Sequence, residues 1–446
     1  MALTLPAHLD PLTDRIHGSG LLHELAHGLR GPFHYLLPER FDANLAAFRA
    51  ALADAEVEGR VYYAKKANKA SVFVERCAAV GAGVDVASLG ELRDALGHGV
   101  RGEDLVVTGP AKSEQLLRVA AQQGALIAVD ALDELERLLG LGGNRPVRVL
   151  LRRYPPAQPR SRFGLNDAQL HQALERCVAA GDTVRMEGLS FHLSGYAIQP
   201  RADLAGELVE LCLKARSSGL RADRISIGGG FPVDYVAADA WDAFLAEQGP
   251  GHYHGERSFA AGDFYPYHSP AAGADALRAI LSASPGGTGP NLAERLRQAG
   301  VMLLLEPGRA LLDRAGSSVF PVQGVKDRSG YGIITVDGTS LSLSEQWFNS
   351  EYLPDPVLLR DRTGGTDHTD RPYPACVGGT SCLDSDLLTW RKIAFPARPR
   401  VGDLLVYPNT AGYQMDSNES PFHELPLPPK VVVDHHGDRP RWHLDR

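Results

Sequence analysis

Short apolar runs alternate, over the first two thirds of the chain, with segments whose apolar residues recur at helical spacing. The run at 33–37 is followed by Phe41, Leu45, Phe48 and Leu52, which lie three or four residues apart. A short apolar run indicates a buried strand, and a period near 3.6 residues indicates an amphipathic helix. The pattern therefore predicts a strand followed by a helix.

The same strand-then-helix unit recurs along the chain as far as about residue 310. Further apolar runs lie at 60–64, 84–86, 105–108, 125–129, 147–151, 186–193 and 224–227. Repeated units with short connections are typical of a parallel sheet closed into an α/β barrel, whose catalytic groups lie at the carboxyl ends of the strands. We expect this barrel to span residues 33–310.

The two ends of the chain follow different patterns. Residues 1–32 carry leucines at helical spacing, which predicts a helical lead-in. After Arg309 the apolar runs are short and separated by frequent turns, at 318–322, 332–336, 403–407 and 430–433. This pattern is typical of a smaller β domain, which we expect at 311–446.

Two stretches do not fit these units. Segment 234–290 is inserted in the barrel and is rich in glycine, proline and aromatic residues; its aromatic residues include Trp241, Phe244, Tyr253, Phe259, Phe264, Tyr265 and Tyr267. Aromatic residues at this density favour an ordered lobe near the site over a disordered loop. The polar run at 360–371 predicts a flexible surface loop.

Composition narrows the class of protein. The 446 residues suggest two domains. The 46 basic and 54 acidic residues give a net charge of -8, which does not indicate binding to nucleic acid. The five cysteines form no Cys-x-x-Cys pair, which is typical of reduced thiols in the cytoplasm. No apolar run approaches the length of a membrane span, and we expect no export signal and no metal site.

Lys65 and Lys66 follow the β-prone run at 61–64, at the predicted carboxyl end of a barrel strand. Desolvation there, or the charge of Lys65, would lower the pKa of the catalytic amine toward neutrality. Such an amine is nucleophilic and can form a Schiff base with a carbonyl compound. The alternative is a pair of solvated lysines at an ordinary strand end.

Three further features lie directly after predicted strands. Gly228, Gly229 and Gly230 expose backbone N–H groups that can approach an anion closely, although three glycines also suit a plain turn. His192 and Glu306 occupy similar positions after other strands. Their alternatives are a structural histidine and an exposed glutamate that begins a turn.

The segment Tyr63-Ala64-Lys65-Lys66-Ala67-Asn68 resembles the Tyr-Ala-x-Lys-Ala-Asn signature of the fold-type III decarboxylases, which depend on pyridoxal 5'-phosphate (PLP). This family includes the diaminopimelate, ornithine and arginine decarboxylases. Five further motifs follow in the order of the family and extend the resemblance over almost the whole chain. It implies an alanine-racemase-like (β/α)8 TIM barrel and a second β-rich domain whose first strand comes from the N-terminal segment.

The resemblance also implies which residues bind the cofactor. They are Lys66, Asp85, Arg152, His192, Ser194, Gly228, Gly229, Gly230, Glu306, Arg309 and Tyr413. Lys66 binds the cofactor covalently, His192 stacks on its ring, and Glu306 holds the pyridine nitrogen protonated. Arg153 is the alternative to Arg152, whereas Lys112 and Arg162 match motifs that we interpret as structural.

Near the C-terminus, Cys382-Leu383-Asp384-Ser385-Asp386 resembles a family motif that reaches the active site of a partner subunit. This implies a homodimer with shared sites, in which Cys382 joins Lys66, His192 and Glu306 as a catalytic residue. Cys382, Leu383 and Asp384 then contact the substrate.

Two departures from the family bear on the substrate. The chain has Ser194-Gly195 in place of Gly-Ser, and Leu383 in place of the acid that follows the cysteine. An insertion at this place combined with a leucine after the cysteine resembles the divergent branch of the family. That branch includes the siderophore-pathway citryl-diaminopropionate decarboxylases and the D-ornithine/D-lysine decarboxylases. A modified or D-diamino acid is therefore the predicted substrate. The alternatives are a diaminopimelate decarboxylase, an amino-acid racemase and a catalytically silent regulatory homologue.

Overall fold

The computed structural model describes residues 3–141, 145–345, 348–360, 371–434 and 440–445. The lead-in is helical, as predicted, and its bounds are α1 (Pro11–Gly18) and α2 (Leu21–Leu29). Asp10 begins α1 by accepting the backbone N–H groups of Leu12 and Thr13. A strand, β1 (Phe33–Leu36), and a long helix, α3 (Pro38–Asp54), follow.

Eight parallel strands close into a barrel, as the sequence predicts. They are β2 (Gly59–Ala64), β3 (Gly83–Val86), β4 (Leu105–Val107), β5 (Leu126–Val129), β6 (Val147–Arg152), β7 (Val184–Ser190), β8 (Arg224–Ser226) and β9 (Met302–Leu305). The barrel closes where β2 pairs with β9, with Val61 opposite Leu305. Successive side chains on a strand point to opposite faces, so one set fills the interior and the other packs on the helices.

The two sets of side chains form separate clusters. Tyr62, Val106, Leu126, Leu150 and Leu304 pack together inside the barrel. Their neighbours along the strands pack in the main core with the outer helices. These helices are α4 (Ser71–Ala79), α5 (Leu89–Gly97), α6 (Glu114–Gln123), α7 (Leu132–Leu139), α8 (Asp167–Ala179), α9 (Ile198–Ser217), α10 (Ala238–Glu247), α11 (Gly273–Ser282) and α12 (Leu292–Ala299).

The remaining strands form a second, mixed sheet. They are β10 (Gly316–Arg328), β11 (Tyr331–Val336), β12 (Val357–Leu359), β13 (Tyr373–Gly378), β14 (Leu387–Phe395), β15 (Leu404–Tyr407), β16 (Lys430–Asp434) and β17 (Arg441–Leu444). Along the sheet the order is β14-β13-β11-β10-β1-β16-β17, and β15 pairs with both β10 and β12. The fold is thus an alanine-racemase-like barrel with a second β domain.

The strand near residue 33 does not open the barrel, and that part of the prediction is wrong. In β1, Tyr35 lies opposite Ser317 of β10 and opposite Val431 of β16, inside the second sheet. The chain therefore enters the barrel only at α3, which starts at Pro38. An apolar run indicates a buried strand but carries no information about which sheet the strand joins.

The aromatic insertion is ordered and connects the barrel to the second sheet. Tyr253, Tyr265 and Tyr267 are fully buried. Tyr253 forms a β-bridge with Arg391 of β14, and the hydroxyl of Tyr267 accepts the backbone N–H of Leu353 at 3.2 Å. The segment thus packs against both halves of the molecule, which matches the expectation of an ordered lobe.

Three other expectations concern the cysteines, membrane-spanning helices and the polar loop. All five cysteines are free thiols, four of them buried and Cys382 exposed. Within the described ranges, no helix is both long enough and apolar enough to cross a membrane. Most of the polar loop expected at 360–371 lies outside the described residues, because these stop at 360 and resume at 371.

Candidate active site

Polar side chains gather at the carboxyl ends of the barrel strands. Each of the eight strands contributes one within its last residues or just after its end: Lys66, Asp85, Thr108, Asp130, Arg152, His192, Ser226 and Glu306. Because the strands are parallel, these ends lie on one face of the barrel, where the active sites of this architecture are built. The structure therefore brings together five of the predicted site residues in this ring alone.

Lys66 and Asp85 form the central ion pair of this face. The Lys66 ammonium donates to Asp85 Oδ2 at 3.1 Å, and the hydroxyl of Thr108 donates to Asp85 Oδ1 at 2.6 Å. Asp85 is buried, whereas the Lys66 side chain is 48% exposed. The carboxylate of Asp85 raises the pKa of Lys66 and outweighs the partial desolvation of the amine, which acts in the opposite direction. The prediction of a lowered pKa is therefore wrong, because it left out the carboxylate that faces the amine.

Lys65 points to a different environment from its neighbour. Its side chain is only 4% exposed, and its ammonium lies 2.8 Å from Asp94 Oδ2 on α5. The two lysines sit in a tight turn, Lys65–Ala67, which directs adjacent side chains apart. Lys65 is thus held by a helix outside the barrel, and the ring of polar groups faces Lys66.

Glu306 is fixed on the same face by the end of β8. The hydroxyl of Ser226 donates to Glu306 Oε1 at 2.6 Å, and the backbone N–H of Glu306 donates to the carbonyl of Gly228 at 2.9 Å. Burial, with the nearby charge of Asp85, raises the pKa of Glu306 to about 7. A carboxyl group in this state can share a proton with a basic heterocyclic nitrogen.

The three glycines form a loop that only glycine can build. Gly228 and Gly230 have φ values of 66° and 81°. A Cβ atom on Gly228 would lie 2.8 Å from His192 Nδ1, and one on Gly229 would lie 2.7 Å from the carbonyl oxygen of Glu306. The loop therefore packs its backbone directly against His192 and Glu306. Desolvation of the ring and the charge of Lys66 lower the pKa of His192, although the residue is exposed on the barrel face.

Arg152, the last residue of β6, and Arg153, which follows it, face opposite sides. Arg152 donates to Asp130 Oδ1 at 3.1 Å, and its charge acts on both His192 and Glu306. Arg153 instead pairs with Glu207 and Asp167 on the outer helices. The geometry supports the choice of Arg152 over Arg153 as the arginine of the site.

Arg309 is buried in an ion pair that no sequence motif indicates. Its guanidinium donates to Glu345 Oε1 at 2.7 Å, and the two side chains are 5% and 0% exposed. The rings of Tyr265 and Tyr413 lie 4.3 and 5.2 Å from the guanidinium carbon. The inserted lobe, the barrel and the second sheet thus meet at Arg309.

Tyr413 and Ser194 lie at the edges of the site. The backbone N–H of Tyr413 donates to the carbonyl of Ala67 at 2.8 Å, which ties the second sheet to the turn that carries Lys66. The backbone of Ser194 exchanges two hydrogen bonds with Gln158, at 2.9 and 3.0 Å. Ser194 is exposed next to Gly195, whose carbonyl oxygen lies near the Gly230 position.

The predicted substrate residues of the second sheet do not join this ring within one chain. Cys382, Leu383 and Asp384 are exposed, and Cys382 Sγ lies 3.1 Å from His423 Nε2. Among the described residues, no hydrogen bond or ion pair connects Cys382 with Lys66 or Glu306. Cys382 therefore belongs to a separate surface region.

Several residues of the site escaped the sequence analysis. They are Thr108, Asp130, Arg201, Ser226, Glu345 and His423. Thr108, Asp130 and Ser226 lie at the ends of predicted barrel strands, so a systematic reading of strand ends would have found them. Glu345 and His423 are distant in sequence from their partners, and only the fold brings these pairs together.

Comparisons with known proteins identify the family. The profile described as "Pyridoxal-dependent decarboxylase, pyridoxal binding domain" matches residues 39–247. The uncharacterized protein y4yA of Sinorhizobium fredii is 40% identical over 93% of this chain and 90% of its own length. A diaminopimelate decarboxylase of Actinosynnema pretiosum is 28% identical over 96% of this chain and 91% of its own.

Solved structures share the fold at lower identity. Diaminopimelate decarboxylase from Helicobacter pylori, complexed with L-lysine, superposes with a TM-score of 0.70 at 16% identity and covers 93% of this chain and 94% of its own. Lysine/ornithine decarboxylase from Vibrio vulnificus, complexed with cadaverine, gives a TM-score of 0.71 at 22% identity and covers 95% and 98%. Both likenesses support the barrel with a second β domain.

The barrel, its ring of polar strand ends and these relatives define a carboxy-lyase that acts on amino acids with the help of PLP. The chain belongs to the fold-type III PLP-dependent decarboxylases, the family of diaminopimelate, ornithine and arginine decarboxylases. The site suits this cofactor, because an accessible amine, a buried carboxyl and a loop without side chains lie on one face.

Proposed function

We propose that this enzyme removes the Cα-carboxylate of a modified or D-configured diamino acid, such as a citryl-diaminopropionate intermediate of a siderophore pathway. The observation that carries the proposal is Leu383, which follows Cys382 where the family has an acidic residue. The side chain of Leu383 is 49% exposed on the surface region that contains Cys382. An apolar side chain there favours a substrate whose far end is not a simple ammonium group.

The residues of the barrel face would share the catalytic work. PLP, when bound, supplies the electron sink that accepts the electron pair left at Cα as carbon dioxide departs. Lys66 would bind the cofactor, and Asp85 would take up the proton that its amine must lose. Glu306, oriented by Ser226, would hold a proton at the pyridine nitrogen. His192 would stay neutral beneath the ring, because its pKa is lowered.

The phosphate of the cofactor would lie among backbone donors and nearby side chains. Gly228, Gly229 and Gly230 present a bare backbone on the face that carries Lys66, and Ser194 and Tyr413 border the same region. Backbone N–H groups in such a loop attract an anion. Arg152 and Arg309 would also bind the cofactor, although Glu345 partly neutralises the charge of Arg309.

We further propose that the enzyme is a homodimer with shared sites. Cys382, Leu383 and Asp384 are exposed, and Cys382 has no polar contact with the barrel face in the described parts of its own chain. In a symmetric dimer these residues would enter the site of the partner subunit. There the thiol of Cys382 would donate its proton to Cα after carbon dioxide has left.

The leucine determines which substrates fit. A distal ammonium buried against Leu383 would lose its hydration without gaining a partner, at a cost of several kcal/mol. Asp384 is the next residue and is also exposed, so a small shift of the backbone would be needed for it to serve instead. Tyr265 of the insertion packs on Arg309, so the insertion borders the site and would also influence which substrates fit.

Diaminopimelate decarboxylation is the second candidate, because several relatives of this chain have that name, including the protein of Actinosynnema pretiosum. A racemase is disfavoured, because such enzymes of this barrel class place an arginine against the ring nitrogen, where this chain has Glu306. The silent homologue is disfavoured by the retention of Lys66, Glu306 and the glycine loop.

The test is carbon dioxide release from a panel of meso-diaminopimelate, L-ornithine, D-ornithine and an N-acylated diaminopropionate. We expect the acylated or D-configured compounds to give the highest kcat/KM. The variant Leu383→Glu should shift the preference toward L-ornithine, whereas the matched control Leu383→Ile should not. A kcat/KM for meso-diaminopimelate far above all others would overturn the proposal and support the second candidate.

A further inference from the structure

Arg201 is a buried arginine directly behind the glycine loop. It lies in the first turn of α9 and is only 1% exposed. Its Nη2 donates to the carbonyl oxygens of Leu193 and Gly195 at 3.2 and 3.3 Å. Both carbonyls belong to the turn that follows His192, so the guanidinium fixes this turn against the barrel.

The charge of Arg201 lacks a carboxylate partner. Among the described residues its hydrogen bonds all go to backbone carbonyls, and its Nε has no hydrogen-bond partner. No ion pair within the described ranges includes it. Burial lowers the pKa of Arg201 to about 10, which still leaves it cationic at neutral pH. An unpaired cation at such a depth is costly unless an anion binds nearby.

Arg309 differs from Arg201 in that a carboxylate pairs with its charge. Arg309 is equally buried, but Glu345 neutralises it in a close ion pair, and Gln414 donates to the same carboxylate at 2.6 Å. A phosphate dianion that approached Arg309 would also meet the negative charge of Glu345. Arg201 offers its charge without such competition.

The position of Arg201 matches the anion site proposed at the loop. A Cβ atom on Gly230 would collide with Arg201 Nη2, so the guanidinium packs against the third glycine without any side chain between them. The charge of Arg201 is also one of the charges that lower the pKa of His192 on this face of the barrel. The loop, the turn at Ser194 and Arg201 thus form one unit.

We propose that Arg201 is the main counter-charge for the phosphate ester of the cofactor and that it positions the turn at Ser194 and the Gly228–Gly230 loop around that group. Arg309, paired with Glu345, contributes less of this charge. The inference rests on the proposed function in that it requires the cofactor phosphate to bind at the glycine loop. It adds a residue that none of the family motifs in the sequence includes.

The experiment compares two ligands that differ only in the phosphate. Apoprotein of the wild type, Arg201→Gln and Arg201→Lys is titrated with PLP and with pyridoxal, and bound ligand is followed by absorbance. We expect Arg201→Gln to weaken PLP binding by about 10- to 100-fold and to leave pyridoxal binding within about twofold, since the positive charge close to the phosphate is lost. Arg201→Lys, which keeps the charge, should retain most of the preference for PLP.

A second measurement uses inorganic phosphate and does not depend on catalysis. Phosphate should raise the melting temperature of the wild-type apoprotein, and it should raise that of Arg201→Gln much less. The variant Glu345→Gln, which frees the charge of Arg309, should bind PLP at least as tightly as the wild type. If Arg201→Gln does not fold, the ratio of PLP affinity to pyridoxal affinity is measured on Arg201→Lys and Glu345→Gln instead.

Four outcomes would overturn the inference. Equal PLP affinity in the wild type and Arg201→Gln would show that the charge is not used, and equal losses for PLP and pyridoxal would show a purely structural role. The same equal losses in Arg201→Lys, or weakened PLP binding in Glu345→Gln, would also contradict it. Failure of the wild type to bind PLP at all would instead contradict the proposed function.

Discussion

The ammonium of Lys66 lies 3.1 Å from the carboxylate of Asp85, and this pair joins an accessible amine to a buried acid at the centre of the barrel face. Asp85 raises the pKa of Lys66 and so keeps the amine charged. An amine must be neutral to attack a carbonyl carbon, and the adjacent carboxylate is the nearest group that can accept its proton. Asp85 thus stabilises the protonated amine and can also accept its proton when the amine reacts.

The first prediction separates the two adjacent lysines. Lys66→Ala should abolish covalent attachment of PLP, because only Lys66 faces the polar ring. Lys65→Ala should retain it, because Lys65 is held by Asp94. Borohydride reduction followed by peptide mass spectrometry locates the cofactor. Finding it on Lys65 in the wild-type protein would contradict the assignment.

The second prediction concerns the charge of Asp85. In Asp85→Asn the main cause of the raised pKa of Lys66 is removed, so a larger fraction of the amine is neutral at a given pH. The pH at which PLP attaches at half its maximal rate should therefore move downward. Thr108→Val, which removes only the donor to Asp85 Oδ1, serves as the milder control. An unchanged pH profile in Asp85→Asn would show that the ion pair does not control the amine.

The third prediction concerns Glu306 in the absence of cofactor. Its pKa is raised from near 4.5 to about 7, so between these values the folded apoprotein holds a proton that the unfolded chain has released. The stability of the apoprotein should therefore fall as pH rises through this window, by about 1 to 3 kcal/mol from this residue. Glu306→Gln should flatten that dependence in melting curves recorded from pH 4.5 to 7.

The same substitution tests the role of Glu306 in turnover. A neutral amide cannot hold a proton at the pyridine nitrogen, so turnover should fall by orders of magnitude while PLP binding stays largely intact. Ser226→Ala, which removes the hydroxyl that orients the carboxyl group, should cause a smaller loss. Turnover in Glu306→Gln equal to that of the wild type would refute the role.

The sequence was most informative where chemistry and local pattern coincide. Lys66, Asp85 and Glu306 follow or end strands with regular apolar patterns, and the barrel brings such strand ends together. The position of β1 and the pairing of Arg309 with Glu345 were not accessible in this way, because they depend on contacts between distant segments. The predicted direction of the Lys66 pKa shift was wrong for the same reason, since Asp85 lies on the neighbouring strand.

The fourth prediction concerns the contribution of a buried ion pair outside the proposed active site to the stability of the folded protein. Lys112 and Glu134 form a fully buried ion pair at 3.1 Å, and burial lowers the pKa of Lys112. Lys112→Met would leave the Glu134 carboxylate without its cation and should lower the stability by about 3 kcal/mol. Lys214→Met, at an exposed position, is the control, and Lys112→Met/Glu134→Leu should recover part of the loss. Equal melting temperatures for Lys112→Met and the control would contradict the structural role.

The last prediction tests the proposed sharing of sites between subunits. Cys382 lies in an exposed region next to His423, without a polar contact to Lys66 in the described parts of the chain. If each site takes Lys66 from one subunit and Cys382 from the other, Lys66→Ala and Cys382→Ala proteins should each be impaired alone. Their mixture should regain up to about a quarter of wild-type activity, because half of the dimers are mixed and each mixed dimer has one intact site. Subunit exchange is verified with differently tagged chains. Exchange without recovery of activity would mean that Cys382 acts in its own chain or not at all.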